Sequence, residues 1–333
     1  MKTYLGFVAV SLFLLSCTNT DRDNPYDMWG SNYMGNAFVE GSSSSVETGE
    51  PSSSSEEGFS SSSSIAPSSS SALPSSSSVV PSSSSNVGCA GFVNGTKRLH
   101  YEKEKEQFCD ERDGKKYVYV KIGEQTWMAE NLNYNASGSK CYGEDGQIVV
   151  GWKDGIPITT TLSPDEVRAN CTKYGRLYDW ATAMGLESSC NSSSCPVEAK
   201  HRGVCPAGWH IPSWRTESDV LLVAVDGPTA ADGTANTAGT KLKAKSGWNN
   251  WVSGESANGT DDYGFSALPG GNGYSSGRFE YVGESGYLWL STQAVAQQNG
   301  AINAYRLHVN RTSSTSAWYV NKTNLLSVRC VQD

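Results

Sequence analysis

One stretch of the sequence concentrates residue types that could take part in a reaction: RGVCPAGWHIPS, residues 202–213, brings a cysteine, a tryptophan and a histidine together. A catalytic histidine needs a nucleophile beside it and a third group that orients its ring. The sequence contains no nucleophile elbow and no Cys/His signature of that kind. We therefore expect His210 to be a structural histidine, in a corner where prolines turn the chain and Trp209 packs below.

Carboxylates give a second possible chemistry. Glycoside hydrolysis requires two carboxylates at a fixed separation across a cleft. The candidates Asp261, Asp262, Glu280 and Glu284 follow one another along the chain, but no spacing singles out a pair. We assign no catalytic residue and expect a binding protein, with an enzyme of unknown reaction as the less favoured alternative.

The segment GWNNWVSG, residues 247–254, indicates binding instead. Trp248 and Trp251 stand three positions apart beside Asn249 and Asn250, in a polar loop bounded by glycines. Flat aromatic faces stack on sugar rings, and amide groups hydrogen-bond to sugar hydroxyls. The alternative is that both indole rings cover the core. Three further loop aromatics join this candidate surface: Tyr274, Tyr281 and Tyr287.

Metal binding has one weak candidate. In NGTDDYG, residues 258–264, Asp261 and Asp262 offer the oxygen ligands that calcium prefers, so a structural calcium ion is the one cofactor considered. A plain Asx-type turn accounts for the same residues without a metal, and we favour it. Zinc is disfavoured because no C-x-x-C pair occurs and the four histidines are scattered.

The N-terminal residues predict export and a lipid anchor. Residues 1–16 have a basic start and an apolar run that is too short to span a bilayer, which is typical of a signal peptide. Leu14, Leu15, Ser16 and Cys17 resemble a bacterial lipobox, so we expect cleavage before Cys17 and its lipidation; the alternative is an ordinary signal peptide. Thr18 after the cysteine favours the outer membrane, with the cell surface as one location there.

The composition divides the rest of the chain. A lipidated tether, residues 17–41, leads to a Ser/Pro-rich linker, residues 42–88, in which residues 42–85 hold 25 serines. Such a segment cannot bury a core, so we expect a disordered stalk. Residues 89–333 carry 24 basic and 26 acidic side chains. Such a near-neutral domain without a basic stripe argues against a nucleic-acid partner.

Cysteines and short patterns indicate the fold of residues 89–333. Eight cysteines in an exported chain predict four disulfides, although they allow 105 pairings. We expect a hairpin over 117–130, a helix from Pro164 to about 172 behind a capping box, and a helix over 179–184 ended by Gly185. Ser213 is expected to cap a further helix whose apolar face carries Val220, Leu221, Ala224 and Val225. Six later strands are expected at 264–268, 279–282, 287–292, 304–309, 316–320 and 327–331. Without βαβ alternation, the class is α+β.

Several segments resemble, in order, the Fibrobacter succinogenes major paralogous domain. They are IGEQTWMAENLNY, KYGRLYDWATAM, RGVCPAGWHIPS, GTKLKAKSGW, NGTDDYGFSALPGG, LWLSTQ and SVRCVQD, which span residues 122–333. That family is more distantly similar to the formylglycine-generating, sulfatase-modifying variation of the C-type lectin-like fold. The resemblance implies a disulfide-stapled domain with long loops on one face.

The same resemblance implies disulfide pairings. In lectin-like folds a cysteine early in the second half joins one in the last strand, which implies Cys205 with Cys330. The other expected pairs are Cys89 with Cys109, Cys141 with Cys171, and Cys190 with Cys195. Formylglycine-generating enzymes place two copper-binding redox cysteines in a late segment, and the late segment of this sequence, residues 268–292, contains no cysteine. The sugar-chelating triplets of calcium lectins are also absent.

Together these observations predict a surface-anchored binding module. The expected ligand is a glycan, and the lifestyle of the organism that names the family points to a plant-wall polysaccharide. The alternative is a structural or protein-interaction module whose partner is an envelope protein. Membrane contact is expected through the lipid anchor only.

Overall fold

The computed structural model describes residues 88–100, 103–228, 237–251, 253–313 and 315–333. The chain divides into two units, Met1–Ser78 and Val79–Asp333, and the described residues belong to the second. Cys17, the signal segment, the tether and nearly all of the serine-rich linker lie outside the described residues. No helix in the described ranges is long and apolar enough to cross a membrane.

The described unit is mixed α and β, mostly sheet with few helices. Its four helices lie in the middle of the chain: α1 (Pro164–Tyr174), α2 (Trp180–Met184), α3 (Ser218–Asp226) and α4 (Ala238–Leu242). Its strands are β1 (Lys97–His100), β2 (Lys103–Cys109), β3 (Lys116–Ile122), β4 (Gln125–Met128), β5 (Gln147–Lys153), β6 (Ile156–Thr160), β7 (Leu177–Tyr178), β8 (Trp209–His210), β9 (Gly270–Gly273), β10 (Arg278–Val282), β11 (Ser285–Gln293), β12 (Asn303–Asn310), β13 (Thr315–Asn321), β14 (Leu326–Ser327) and β15 (Val331–Gln332).

The strands form two sheets. The first has the order β1-β2-β3-β4-β15-β8, so the last strand of the chain lies between β4 and β8. The second has the order β13-β12-β11-β9-β10-β5-β6, and β14 pairs with both β11 and β7. Strands β13 and β6 are therefore the two edge strands of that order, and each pairs with a neighbouring strand on one side only.

Two apolar clusters cover opposite sides of the second sheet. Along β12 and β13, Ala304 and Val320 belong to the cluster that contains α2, whereas Tyr305 and Leu307 belong to the cluster that contains α3 and α4. This division follows from the alternation of side chains along a strand. The expectation that Tyr305, Leu307 and Val309 point inward is confirmed, because each is at most 3% exposed.

Local signals predicted several elements correctly. The hairpin is present as β3 and β4, and α1 begins with the complete capping box of Ser163 and Glu166. Asp179 caps α2, which ends at Gly185 in the left-handed region with φ 64°. These signals succeed because each depends on backbone groups within one turn of the residue concerned.

Three predicted elements differ from the structure. Ser213 does not cap a helix: α3 begins at Ser218, and the left-handed φ of 72° at Arg215 interrupts the chain between them. Of the predicted apolar face, Leu221 and Val225 are buried together with Leu222, whereas Val220 is 42% exposed.

Residues 264–268 form no strand beyond an isolated bridge at Ala267, since Ser266 has φ 55°. The strand expected over 327–331 is divided: β14 ends at Ser327 and β15 begins at Val331.

Four disulfides staple the unit. They join Cys89 to Cys109, Cys141 to Cys171, Cys190 to Cys195 and Cys205 to Cys330, the same pairs that the sequence analysis named. The last of these ties the corner before β8 to the segment that enters β15, with a sequence separation of 125.

Candidate functional site

The loop GWNNWVSG does not present the paired rings that were expected. Trp248 is 4% exposed and belongs to the core cluster of α3 and α4, and its Nε1 donates to the Ala267 carbonyl at 3.1 Å. The prediction of an exposed Trp248 is wrong, because a large ring with one satisfied N–H gains more free energy in the core than beside water. Asn249 and Asn250 are exposed, and Trp251 is half-buried.

Part of the predicted set does come together. The backbone amide of Asn249 donates to the Gly283 carbonyl at 2.7 Å, in the turn that follows Tyr281. The Arg311 guanidinium lies 5.0 Å from the Trp251 ring centroid and 3.4 Å from a Glu284 carboxylate oxygen. This corner is polar and half-buried, and the Arg311 guanidinium already occupies a position over the Trp251 ring.

The exposed indole rings lie elsewhere. Among the described residues, two tryptophans count as exposed: Trp318 at 58% on β13 and Trp152 at 45% on β5. Neither was singled out from the sequence, although the alternation in TSAWYVN places Trp318 opposite in direction to Tyr319. Applying that pattern to β13 would have identified Trp318 as an outward ring.

Trp318 ends a ladder of aromatic rings that begins in the core. The Trp214 ring stacks on Tyr305 with centroids 3.7 Å apart, Tyr305 meets Tyr319 edge-on at 6.0 Å, and Tyr319 stacks on Trp318 at 5.2 Å. Aromatic pairs in these geometries gain stability beyond the area that they bury. We call these four residues the aromatic ladder.

The strands explain why the aromatic ladder forms. Tyr305 and Tyr319 are cross-strand partners on β12 and β13, so their side chains share one face of the sheet. Tyr305 is 3% exposed, and its hydroxyl donates to Gln298 Oε1 at 2.9 Å. Trp214 is held from the other side, where its amide donates to Thr292 Oγ1 at 2.9 Å. The exposed indole therefore rests on rings whose positions are fixed by the core.

Polar groups accompany Trp318 on the sheet. Arg306 is its cross-strand partner on β12, and the Arg306 guanidinium lies 4.7 Å from the centroid of Tyr287, one of the predicted binding residues. Tyr287 stacks on His308 at 4.5 Å. Burial, and then the charge of Arg306, lower the pKa of His308 well below its usual value, so its ring is neutral at pH 7.

A polar groove lies at one end of β13. Its volume is about 500 Å³, and Tyr274, another predicted binding residue, forms part of its wall. Most of the other lining side chains carry hydroxyl, amide, ammonium or carboxylate groups; the lining residues are Lys140, Asp145, Asp179, Asn191, Tyr274, Ser275, Ser276, Gly277, Phe279, Thr323 and Leu325. We call this the polar groove.

The walls of the polar groove are held in place by local bonds. Asp179 accepts from the Thr182 amide at 2.8 Å, and Asn191 accepts from the Ala181 amide at 2.9 Å. Asn191 lies in the loop that Cys190–Cys195 closes, and Asp145 lies in the segment that Cys141–Cys171 closes. The groove thus offers hydrogen-bond donors and acceptors on a framework that is largely preformed.

The candidate metal ligands are engaged within the protein. The Asp261 carboxylate is 1% exposed and accepts from the Ser266 amide and hydroxyl, each at 2.7 Å. Asp262 is exposed. Within the described ranges, no three His, Cys, Asp or Glu side chains stand close enough to hold a metal ion. The Asp261 side chain bonds to a backbone amide five residues on, and the Gly264 amide donates to the Asp261 carbonyl at 3.2 Å, so the segment is a backbone turn that the Asp261 carboxylate closes and not the Asx-type turn that was expected.

His210 occupies a closed network. It is 1% exposed, with Nδ1 at 2.7 Å from an Asp333 carboxylate oxygen and Nε2 at 3.0 Å from Glu217 Oε1. Burial opposes protonation, but the bonds to Glu217 and Asp333 prevail and raise the pKa of His210 above its usual value. The Ser213 hydroxyl donates to Glu217 and not to the imidazole. With both ring nitrogens engaged by carboxylates, His210 bonds to no nucleophile, which fits a structural histidine.

The comparison with protein families agrees with the sequence motifs. Residues 120–332, more than half of the chain, match the family model described as the Fibrobacter succinogenes major domain. No curated protein and no solved structure shows significant similarity to the chain. The chain belongs to the Fibrobacter succinogenes major domain family.

Proposed function

We propose that this member of the Fibrobacter succinogenes major domain family is a polysaccharide-binding module of the cell surface. In this proposal Cys17 carries the lipid anchor in the outer membrane, the serine-rich linker extends the domain outward, and a plant-wall polysaccharide is the ligand. The domain itself is proposed to be a variation on the C-type lectin-like fold. Its two sheets, few helices and Cys205–Cys330 bridge support that proposal.

The observation that carries the proposal is the exposure of Trp318 at the end of the aromatic ladder. An indole that is 58% exposed loses the free energy that burial would provide. Tyr319 stacks on one face of this indole at 5.2 Å and fixes its orientation. A rigid aromatic face with polar neighbours suits the C–H face and the hydroxyls of a sugar ring. It also lowers the entropy that must be lost on binding.

Retention on insoluble polysaccharide tests this function. The purified full chain is mixed with insoluble cellulose or xylan, with and without EDTA, and the bound fraction is measured. We expect retention that Trp318→Ala abolishes and that EDTA does not change. Trp152→Ala is the matched control, since it removes the other indole that is exposed among the described residues, on the β5–β6 hairpin at the far end of the sheet, and is expected to leave retention intact. If Trp318→Ala binds as well as the wild type, Trp318 is not the sugar-binding residue.

A second candidate function rests on the hairpin of β5 and β6. Four large apolar side chains are exposed on it: Val150 at 58%, Trp152 at 45%, Ile156 at 68% and Ile158 at 49%. Ile156 and Ile158 share one face of the hairpin, whereas Trp152 pairs with Pro157 and lies on the other face. Neighbouring exposed apolar residues such as Ile156 and Ile158 mark protein-interaction surfaces more often than single ones do. The turn at Asp154 and Gly155 has positive φ at both positions, which defines a tight two-residue hairpin. This hairpin is the surface that an envelope protein partner would contact.

A further inference from the structure

The aromatic ladder and the polar groove are connected through β13. Along this strand Trp318 and Val320 alternate with Tyr319, so the first two start from the same side of the sheet. Val320 packs against the cluster that contains α2 and Cys190, whereas Tyr319 packs against the opposite cluster. The Cα–Cβ bond of Trp318 therefore starts on the side on which the Cys190–Cys195 loop lies, while its ring, at the edge of the sheet, stacks on the neighbouring Tyr319.

Lys322 continues the same alternation and reaches that loop. Its side chain is fully buried, and Nζ donates to the Ser193 carbonyl at 3.0 Å, the Ala301 carbonyl at 3.0 Å and Gln293 Oε1 at 2.7 Å. The ammonium also lies 4.5 Å from the centroid of Trp180. Lys322 thus fastens the Cys190–Cys195 loop to the end of β13.

The next residue opens into the polar groove. Thr323 lines the groove together with Asn191, which belongs to the loop that Lys322 holds. Trp318 and Thr323 are five residues apart, and a strand rises by about 3.3 Å per residue, so roughly 16 Å is the upper limit of their backbone separation; the chain turns after Asn321. Both residues are therefore within reach of one oligosaccharide of a few sugar rings.

We infer that Trp318 and the polar groove form one extended binding path for an internal run of a linear polysaccharide, rather than a pocket for a single terminal sugar. The inference rests on the proposed function. In this arrangement one ring of the chain stacks on Trp318, and rings further along the same chain place their hydroxyls against Asn191, Thr323 and the serines of the turn after Tyr274. The ligand class is a neutral, unbranched glycan, because the charged groups that line the groove are engaged within the protein: the Lys140 ammonium lies 3.1 Å from Asp145, and Asp179 accepts from the Thr182 amide and hydroxyl. The remaining polar lining groups are hydroxyls and an amide.

Affinity as a function of chain length tests the inference. Calorimetric titrations of the full chain use linear xylo- and cello-oligosaccharides from dimer to hexamer. We expect the affinity of the wild type to rise at least tenfold over the series. Ser276→Arg places a long side chain in the groove from an exposed turn position, and it should lower hexamer affinity to the dimer value while leaving dimer affinity unchanged.

Matched variants separate the outcomes. Ser253→Arg makes the same change at an exposed serine outside the groove and should behave as the wild type, and Ser275→Arg replaces Ser276→Arg if the latter melts early. Affinity that does not depend on length, or hexamer binding that neither groove variant alters, would overturn the inference and leave the role of Trp318 standing. Absence of binding to every oligosaccharide and to both insoluble polysaccharides would remove the proposed function and the inference together.

Discussion

The rings of Trp214 and Tyr305 stack face to face with centroids 3.7 Å apart and an interplanar angle of 15°. Tyr305 belongs to β12, whereas Trp214 follows β8 and is separated from it by about ninety positions in the chain. The contact therefore couples the corner at Pro212 to the sheet that carries Trp318. Through Tyr319 it makes the position of an exposed ring depend on the core.

This coupling predicts the effect of removing one ring of the ladder. Tyr319→Leu keeps an apolar side chain on β13 but removes the face on which Trp318 rests, so we expect polysaccharide affinity to fall about three- to tenfold, by less than in Trp318→Ala. The loss of one aromatic pair corresponds to about 0.5–1.5 kcal/mol. The bound fraction on insoluble polysaccharide measures the effect, and unaltered affinity would show that the ladder does not support binding.

Trp248 is expected to behave as a core residue. Trp248→Ala should lower the free energy of unfolding by about 3–5 kcal/mol, because it leaves a cavity and removes the indole N–H bond to Ala267. Trp318→Ala, at an exposed site, should lower the same quantity by about 0.5–1.5 kcal/mol, the contribution of its one aromatic pair with Tyr319. Urea denaturation of both variants provides the comparison. Equal destabilisation would mean that Trp318 is also a core residue.

The His210 network predicts a window of maximum stability in pH. The folded state raises the pKa of His210 above 6.5, so its contribution is fully present below pH 6.5 and is lost as the pH rises through the folded pKa. Despite burial, the bonds to His210 and Ser213 lower the pKa of Glu217, so its contribution is present above pH 4.5 and is lost as the pH falls through the folded pKa. His210→Gln should weaken the decline in unfolding free energy above pH 6.5, as measured by urea titrations from pH 4 to 9. A decline as steep as in the wild type would contradict the role of His210.

The disulfides should differ in how much they stabilise the folded state. Cys205–Cys330 encloses 125 residues and Cys190–Cys195 encloses 5, so the chain-entropy model gives about 5 and about 2 kcal/mol respectively. Replacing each pair with alanines should therefore lower the melting temperature more for Cys205/Cys330. Replacing Cys190 and Cys195 should lower the melting temperature less, but it should also weaken hexamer binding, because Asn191 of the polar groove lies inside that loop. The reverse order of melting temperatures would show that loop length does not govern these bridges.

The apolar hairpin predicts a measurable exposed patch. Ile156→Asp combined with Ile158→Asp should reduce the fluorescence of a bound hydrophobic dye and suppress self-association at high protein concentration. Val220→Asp combined with Val223→Asp is the control, because these exposed valines lie on α3. Similar changes in both double variants would show that the hairpin is not a distinct surface.

Much of this fold follows from short-range signals. The capping box at Ser163, the cap at Asp179 and the hairpin over 117–130 each depend on neighbouring backbone groups, so their residues determine them locally. Ser213 failed as a cap because Arg215 adopts a left-handed conformation, while Glu217 accepts the Ser213 amide at 2.7 Å. Nothing in the immediate sequence specifies either feature.

The sequence alone determined that residues 120–332 carry the motifs of one family, and that an aromatic-rich domain follows a serine-rich segment. It did not determine which aromatic rings are exposed. Trp248 stands between Gly247 and Asn249, and Trp318 stands between Ala317 and Tyr319, yet the first is 4% exposed and the second 58%. The tertiary structure decides between them, because burial depends on whether distant elements cover a side chain. Helices α3 and α4 cover Trp248, whereas Trp318 lies on the edge strand β13.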